Sequence, residues 1–278
     1  TTMNFLVSSE TSKLKSVIIG IANSNGKTPH INDLYDPKSI ENLKKGTYPK
    51  ESDMVLELEN FVNVLQKHNV TVFRPKVINN YNQIFVRDIG FVIDNFFFKS
   101  NILPNRANEF KAIDSILSSF NDKIIELPEN VHVEGGDVLY HNNIVFIGYY
   151  NLDDYSDLFT ARTNKKAIDY FLNFFPEKKI FPLHLNKSLN DPKKNILHLD
   201  CCLQIVGSNK AIIHPNAFTY KKDYSVDKEK EVIVNKESIR LTDLSPCNYN
   251  KFAHIHKSLQ NLFGLKCTKQ KYLLLIIK

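Results

Sequence analysis

Four short polar stretches interrupt apolar sequence in this chain, and each carries a side chain able to do chemistry: Asp88 in "VRDIG", Glu134 in "VEGGD", His198 and Asp200 in "HLDCC", and Cys267 in "LKCTK". Three carboxylates, one imidazole and one thiol make a poor structural zinc site, and no CxxC pair is present. They suit a planar cation attacked by sulfur. A guanidinium, with a pKa of about 12.5–13.8, stays charged at any ordinary pH, and resonance blunts its central carbon as an electrophile. Two carboxylates can grip its N–H edges in paired charge-assisted hydrogen bonds and hold that carbon flat for attack. Cysteine is the fitting nucleophile, because a fraction is thiolate even at a pKa near 8.5 and a bound cation raises that fraction. Each stretch alone also has an ordinary reading: a turn aspartate, a glycine turn, a surface His-x-Asp pair. Their joint placement favours a shared site.

That placement is set by the elements that follow them. "FVIDNFFF" (91–98) is a hairpin turning at Asp94-Asn95, followed by "RANEFKAIDSILSSF", with Phe110, Ile113, Ile116, Leu117 and Phe120 at helical spacing, and by the short strand "KIIELP". The order recurs in "VLYHNNIVFIGYY", turning at His141-Asn142-Asn143, the helix "TNKKAIDYFLNFF" and the strand "KKIFPL". A third unit opens with "LQIVGSNKAIIHP", turning at Gly207-Ser208-Asn209, and continues to "EVIVN" and "SIRLTD". The N-terminal part offers "SVIIGIA", the amphipathic "DMVLELENFVNVLQKH" and "VTVFRP"; the C-terminal part offers "KFAHIHKSLQNLF" and "YLLLII". Five hairpin–helix–strand units are the expected count. Arranged around an axis, they bring the pre-hairpin residues Asp88, Glu134, His198, Asp200 and Cys267 into one pocket on rigid elements. Read as an extended strand, "HLDCCL" places His198, Asp200 and Cys202 on one face, with Leu199, Cys201 and Leu203 on the other. Both members of the cysteine pair are expected to pack as small hydrophobes.

The ordered set "FVRDIGFVI", "VEGGDVL", "ARTN", "HLDC" and "GLKCTKQ", spread over nearly the whole chain, resembles the guanidino-group-modifying superfamily. Its members include arginine deiminases, dimethylarginine dimethylaminohydrolases, agmatine deiminases and amidinotransferases. The resemblance implies one α/β domain over 1–278, a five-bladed pseudo-symmetric α/β propeller (pentein) built of ββαβ units. It implies that Asp88 and Asp200 bind the guanidinium and that Cys267 forms a covalent thiouronium intermediate. His198 would act as acid and then base, with Glu134 hydrogen-bonded to its imidazole and Arg87 and Asp137 supporting the site from behind. Asn82, Arg106 and Arg162 resemble the positions by which arginine deiminases hold the α-amino and α-carboxylate groups. The implied reaction is hydrolysis of arginine, or an Nω-substituted arginine, to citrulline and ammonia or an amine. Amidino transfer to an amine stays open, and so does agmatine as substrate, since "CTKQ" resembles the agmatine group. Before the nucleophile the family often has paired glycines; here Gly264 stands alone and lysines flank Cys267, which leaves a catalytically inactive binding protein as an alternative.

Composition excludes other classes. With 42% hydrophobic and 24% charged residues in 278, a substantial core is expected. The net charge of +6 comes from dispersed lysines, with arginine only at 74, 87, 106, 162 and 240, so no clustered nucleic-acid footprint is expected. Four cysteines in a chain this long do not make a disulfide framework, and the N-terminal sequence lacks a secretory pattern. "YLLLII" is too short to span a bilayer. A cytoplasmic enzyme without metal or organic cofactor is expected, acting on a small guanidino compound, with no nucleic-acid or membrane partner and room for a homo-oligomer.

Overall fold

The computed structural model describes residues 4–120, 123–151, 158–206, 211–219 and 275–277. Cys247, Cys267, the Gly207-Ser208-Asn209 turn, "EVIVN", "SIRLTD" and "KFAHIHKSLQNLF" lie outside the described residues.

In chain order come β1 (Ser16–Ile18), α1 (Pro37–Lys44), α2 (Glu51–Lys67) and β2 (Thr71–Phe73), then β3 (Gly90–Ile93), β4 (Phe96–Lys99), α3 (Asp114–Leu117) and β5 (Lys123–Glu126). They are followed by β6 (Val138–His141), β7 (Ile144–Tyr149), α4 (Lys165–Phe174), β8 (Lys179–His184), β9 (Leu203–Ile205), β10 (Ala211–Ile213) and β11 (Leu275–Ile277). The fold is α/β with small mixed sheets. Sheets β3-β4-β5 and β6-β7-β8 share one plan, an antiparallel hairpin followed by a parallel strand. The same plan recurs in β11-β1-β2, where the antiparallel partner of β1 comes from the far end of the chain, with Ser16 opposite Ile277. Strands β9 and β10 form a fourth, two-stranded antiparallel sheet among the described residues.

The hairpins close where turn chemistry allows. Ile93 pairs with Phe96 across Asp94-Asn95, and Asp94 takes φ +52°. His141 pairs with Ile144, so the second turn is Asn142-Asn143 alone, at φ +48° and +68°, and His141 belongs to the strand. Two consecutive left-handed residues make the turn that matches strand twist, and asparagine tolerates that conformation at low cost.

Helix α2 buries Met54, Leu58, Val62 and Leu65, one stripe at helical spacing, against a core containing Val17, Ile19 and Ile84. Asn164 caps α4 by accepting from the Ala167 amide, and Phe171 packs 5.1 Å from the Phe98 ring, joining the two central units in one aromatic core. The helix expected over "RANEFKAIDSILSSF" is different: 104–112 winds as a 3-10 helix and only Asp114–Leu117 is α-helical. In a 3-10 helix residues i and i+3 eclipse, which stacks Arg106 on Glu109 and directs both inward.

Candidate active site

Three single 3-10 turns carry the polar motifs: Val86–Ile89, Gly135–Asp137 and Leu199–Cys201. The first two run directly into β3 and β6, and the third precedes β9 by one residue. The three turns pack in series, the middle one touching both others. Asp88, Glu134, His198 and Asp200 are all buried on these turns, and the first three converge, each placing one polar side-chain atom within 4.8 Å of the others.

The turns are tied by their own polar groups. Arg87 donates from Nε to the Gly135 carbonyl (3.0 Å) and from Nη2 to the Val138 carbonyl (2.6 Å) and to Glu10 (3.3 Å). Asp137 accepts from the Leu199 amide at 2.9 Å and from the Thr163 hydroxyl at 2.6 Å, and burial pushes its carboxyl pKa up. Both residues tie neighbouring turns and segments to one another. Gly136 is required by close approach: a Cβ there would stand 2.8 Å from His198 Cγ and 3.0 Å from Asp88 Oδ1. Gly136→Ala is expected to push the imidazole away from its carboxylates and to cost about 1–3 kcal/mol, the usual range for overpacking, measured by urea unfolding. An unchanged unfolding midpoint would count against this tight approach.

Around the turns lies a network of buried charges. His198 Nε2 is 2.7 Å from Glu134 Oε2, and its Nδ1 is 3.8 Å from Asp88 Oδ1. Arg162 reaches both Glu134 oxygens with Nη1 (3.1 and 3.0 Å), the Phe159 carbonyl with Nε (2.5 Å) and the Tyr35 hydroxyl with Nη2 (3.1 Å). Arg106 donates to Asp88 Oδ2 at 2.8 Å and to both Glu109 oxygens at 2.6 and 2.9 Å. Burial alone would lower the imidazole pKa. Asp88, the hydrogen bond to Glu134 and Asp137 outweigh it and raise His198 to about 9, so the ring is an imidazolium at neutral pH. Burial opposes ionisation of Glu134 as well, yet Arg162, His198 and Arg106 hold its carboxyl far below the usual range. Glu109 is pushed up by burial against the pull of Arg106.

Asp88 Oδ1 is buried and has no hydrogen-bond partner among the described residues. A buried carboxylate oxygen left without a donor is costly. Asp88, Glu134 and His198 each place one ligand atom within 4.8 Å of the others. Two fixed guanidinium charges already share the Asp88 and Glu134 oxygens, which disfavours a dication and leaves room for a diffuse monocation bearing N–H donors.

The remaining expected residues fall less simply. Asn82 is exposed, and its Oδ1 accepts from the Ile84 amide at 3.1 Å rather than facing the buried network. Arg106 and Arg162 are at the site, but their guanidinium groups are engaged by the protein's own carboxylates. The strand reading of "HLDCCL" is corrected: 199–201 is a 3-10 turn, so residues three apart share a face. Cys202 consequently joins Leu199 and Leu203 in the core, its thiol donating to the Leu199 carbonyl at 3.2 Å, while Cys201 is exposed rather than packed. Glu109, Tyr35 and Lys187 were not expected. Only Glu109 left a trace in sequence, its spacing of three from Arg106.

The chain is similar to known proteins in ways that bear on this geometry. A family model described as "N,N dimethylarginine dimethylhydrolase, eukaryotic" matches residues 35–268. YkgA of Bacillus subtilis (strain 168), an uncharacterized protein, is 31% identical over 158 residues, which cover 56% of this chain and 49% of that one. The chain thus spans about half the length of the curated relative it matches. Among solved structures, SxtG, an amidinotransferase from Microseira wollei in the saxitoxin biosynthetic pathway, has a TM-score of 0.58 at 17% identity, covering 78% of this chain and 71% of its own. A mutant DDAH from Pseudomonas aeruginosa complexed with citrulline has a TM-score of 0.50 at 15% identity, covering 72% and 69%. At such identities these structures establish a common fold.

Proposed function

Because the chain belongs to the N,N dimethylarginine dimethylhydrolase family, within the guanidino-group-modifying superfamily, we propose that it hydrolyses the guanidino group of arginine or an Nω-substituted arginine, releasing citrulline and ammonia or an amine. The observation that carries this reading is the buried Asp88 Oδ1, which has no hydrogen-bond partner among the described residues and lies 3.8 Å from the His198 imidazolium. A guanidinium supplies both the charge and the N–H donors.

In the proposed reaction Asp88 and Asp200 hold the substrate guanidinium. The Cys267 thiolate attacks its carbon, and the C–N bond to the departing amine breaks as the His198 imidazolium gives that amine a proton. The resulting thiouronium is attacked by water, whose proton returns to His198; the C–S bond breaks and the ureido product leaves. An acid at about pKa 9 is mostly protonated at neutral pH, as the first half requires. Glu134 keeps the imidazole charged and aimed. Strand β11 follows Cys267 by eight residues and lies against the turn carrying Asp88, which supports assigning the thiol to this site. The plan of three sheets, an antiparallel pair extended by a parallel strand, with β9-β10 and the residues after them, supports a five-bladed propeller formed by one domain.

An amidinotransferase shares the first half-reaction, and the likeness to SxtG makes it the second reading. The test is incubation of the full chain with arginine, methylated arginines and agmatine, with and without an amine acceptor, scoring ureido product and transferred amidino group. Citrulline from an arginine is expected. Product only with an amine present selects the transferase, and agmatine turnover alone moves the substrate. No turnover of any guanidine overturns the enzyme reading.

A further inference from the structure

Lys187 has no place in the proposed chemistry, yet its ammonium is the most fully engaged lysine head near the site. The residue as a whole is only partly buried, but Nζ donates to three backbone carbonyls: Thr160 at 2.6 Å, Ile196 at 2.6 Å and Leu197 at 2.8 Å. An ammonium has three N–H donors, and all three are used. The acceptors sit on the two segments that deliver the site's charged side chains. Thr160, itself fully buried, precedes Arg162 by two residues, and Ile196 and Leu197 lead directly into His198.

We propose that Lys187 is a positioning residue, a cationic peg that fixes the Arg162 segment against the His198 segment and so sets the Arg162–Glu134–His198 alignment.

The surroundings make the peg specific. The segment bearing Lys187 is itself held: Leu185 pairs with Phe218, the Asn186 amide donates to the Ala217 carbonyl at 2.8 Å, and the Ile196 amide donates to the Asn186 carbonyl at 3.0 Å. A rigid strand end therefore presents the ammonium. Among the described residues no carboxylate lies within ion-pair distance of Nζ; the negative charges that favour it, Asp137 and Glu134, act from further off and are the same groups that face His198. Burial lowers its pKa to about 8, against the pull of those carboxylates, so the ammonium is mostly charged at neutral pH. The groups facing His198 are Asp88, Glu134 and Asp137, with Arg106 and Arg162 on the other side of Glu134. Their effect on the ring depends on its staying within hydrogen-bond reach of Glu134.

The test compares Lys187→Met, Lys187→Gln and Lys187→Arg in the full chain. His198 titration is followed by NMR, with the resonance assigned by its loss in His198→Gln. In Lys187→Met the His198 midpoint is expected to fall from about 9 toward its ordinary 6.5 as the ring drifts from its carboxylates. The kcat of the proposed reaction is expected to fall by up to about 10²-fold with KM little changed, the scale of a small misplacement of a catalytic group. Lys187→Arg, which keeps the charge and several donors, should restore most of both. If Lys187→Met does not fold, Lys187→Gln, which keeps two N–H donors, carries the same readings. A lower melting temperature with an unmoved His198 midpoint would make Lys187 merely structural and overturn the proposal. The kcat arm rests on the function proposed above, whereas the titration does not. A moved midpoint in a protein that turns over no guanidine would support the peg and defeat that function.

Discussion

Cys267→Ala is expected to lower turnover of a guanidino substrate by at least about 10⁴-fold, the scale on which loss of a covalent nucleophile is felt when the rest of the site remains. The expectation comes from the chemistry that the described residues demand. Asp88, Glu134 and an imidazolium can bind and polarise a guanidinium, but none is a nucleophile toward its resonance-blunted carbon. A thiol is needed, and two of the four cysteines are set aside by their surroundings. Cys202 is buried among Leu199, Leu203 and Phe218, a position that disfavours the thiolate, and its thiol is spent on a backbone carbonyl. Cys201 is exposed, whereas Asp88, Glu134 and His198 are buried. Cys201→Ala and Cys202→Ala should therefore retain kcat, with Cys202→Ala losing some stability through its vacated core volume. Mass spectrometry of wild type quenched during turnover should find an amidino adduct on the peptide containing Cys267, absent from Cys267→Ala. Full turnover by the alanine variant, or an adduct on Cys201, would place the nucleophile elsewhere.

The site was legible in sequence where a polar residue breaks an apolar element. Asp88, Glu134 and His198 stand out because β3, β6 and β9 must be apolar, so anything polar just before them has some other reason to be there. The repeat then told which interruptions were equivalent. Legibility failed where a contact depends on geometry that a short window does not encode. The extended reading of "HLDCCL" puts Cys202 on the face of His198 and Asp200 because it takes two residues per repeat where the chain winds at three, although the expected packing of Cys202 in the core holds. Glu109 meets Arg106 because 104–112 winds as a 3-10 helix, which the helical spacing of Phe110, Ile113 and Leu117 does not signal. Tyr35 and Lys187 reach the site from loops whose local sequence carries no periodicity. The pairing of β1 with β11 joins opposite ends of the chain, and nothing local to either strand records it.

Glu134→Gln changes one atom of a side chain and is expected to cost about 3–5 kcal/mol at pH 7, the range for removing one partner of a buried ion pair. The loss arises because Arg162 and the His198 imidazolium stay buried with a neutral amide between them. The variant should also lose about 10²-fold in kcat, since the ring loses the anion that keeps it protonated and aimed. The pH dependence of stability separates this account from simple damage. In the wild type the folded pKa of His198, about 9, lies above its ordinary 6.5, so its contribution is full below pH 6.5 and disappears as pH rises through 9. Lys187 acts in the opposite sense. Its folded pKa of about 8 lies below the ordinary 10.5, so above pH 8 the native ammonium loses its proton ahead of the unfolded chain, which restores stability. From these two groups, wild-type urea midpoints should therefore fall from pH 6.5 to 8, flatten between 8 and 9 and recover above 9. Glu134 itself stabilises above the ordinary carboxylate range and is lost only in strong acid, because its folded pKa is depressed. In Glu134→Gln the neutral-to-alkaline fall should shrink and shift toward pH 6.5, and the variant should sit below wild type from pH 5 upward. A variant curve parallel to wild type from pH 5 to 9 would show that Glu134 does not set the His198 charge, and the proton-donor role given to that imidazole would fall with it.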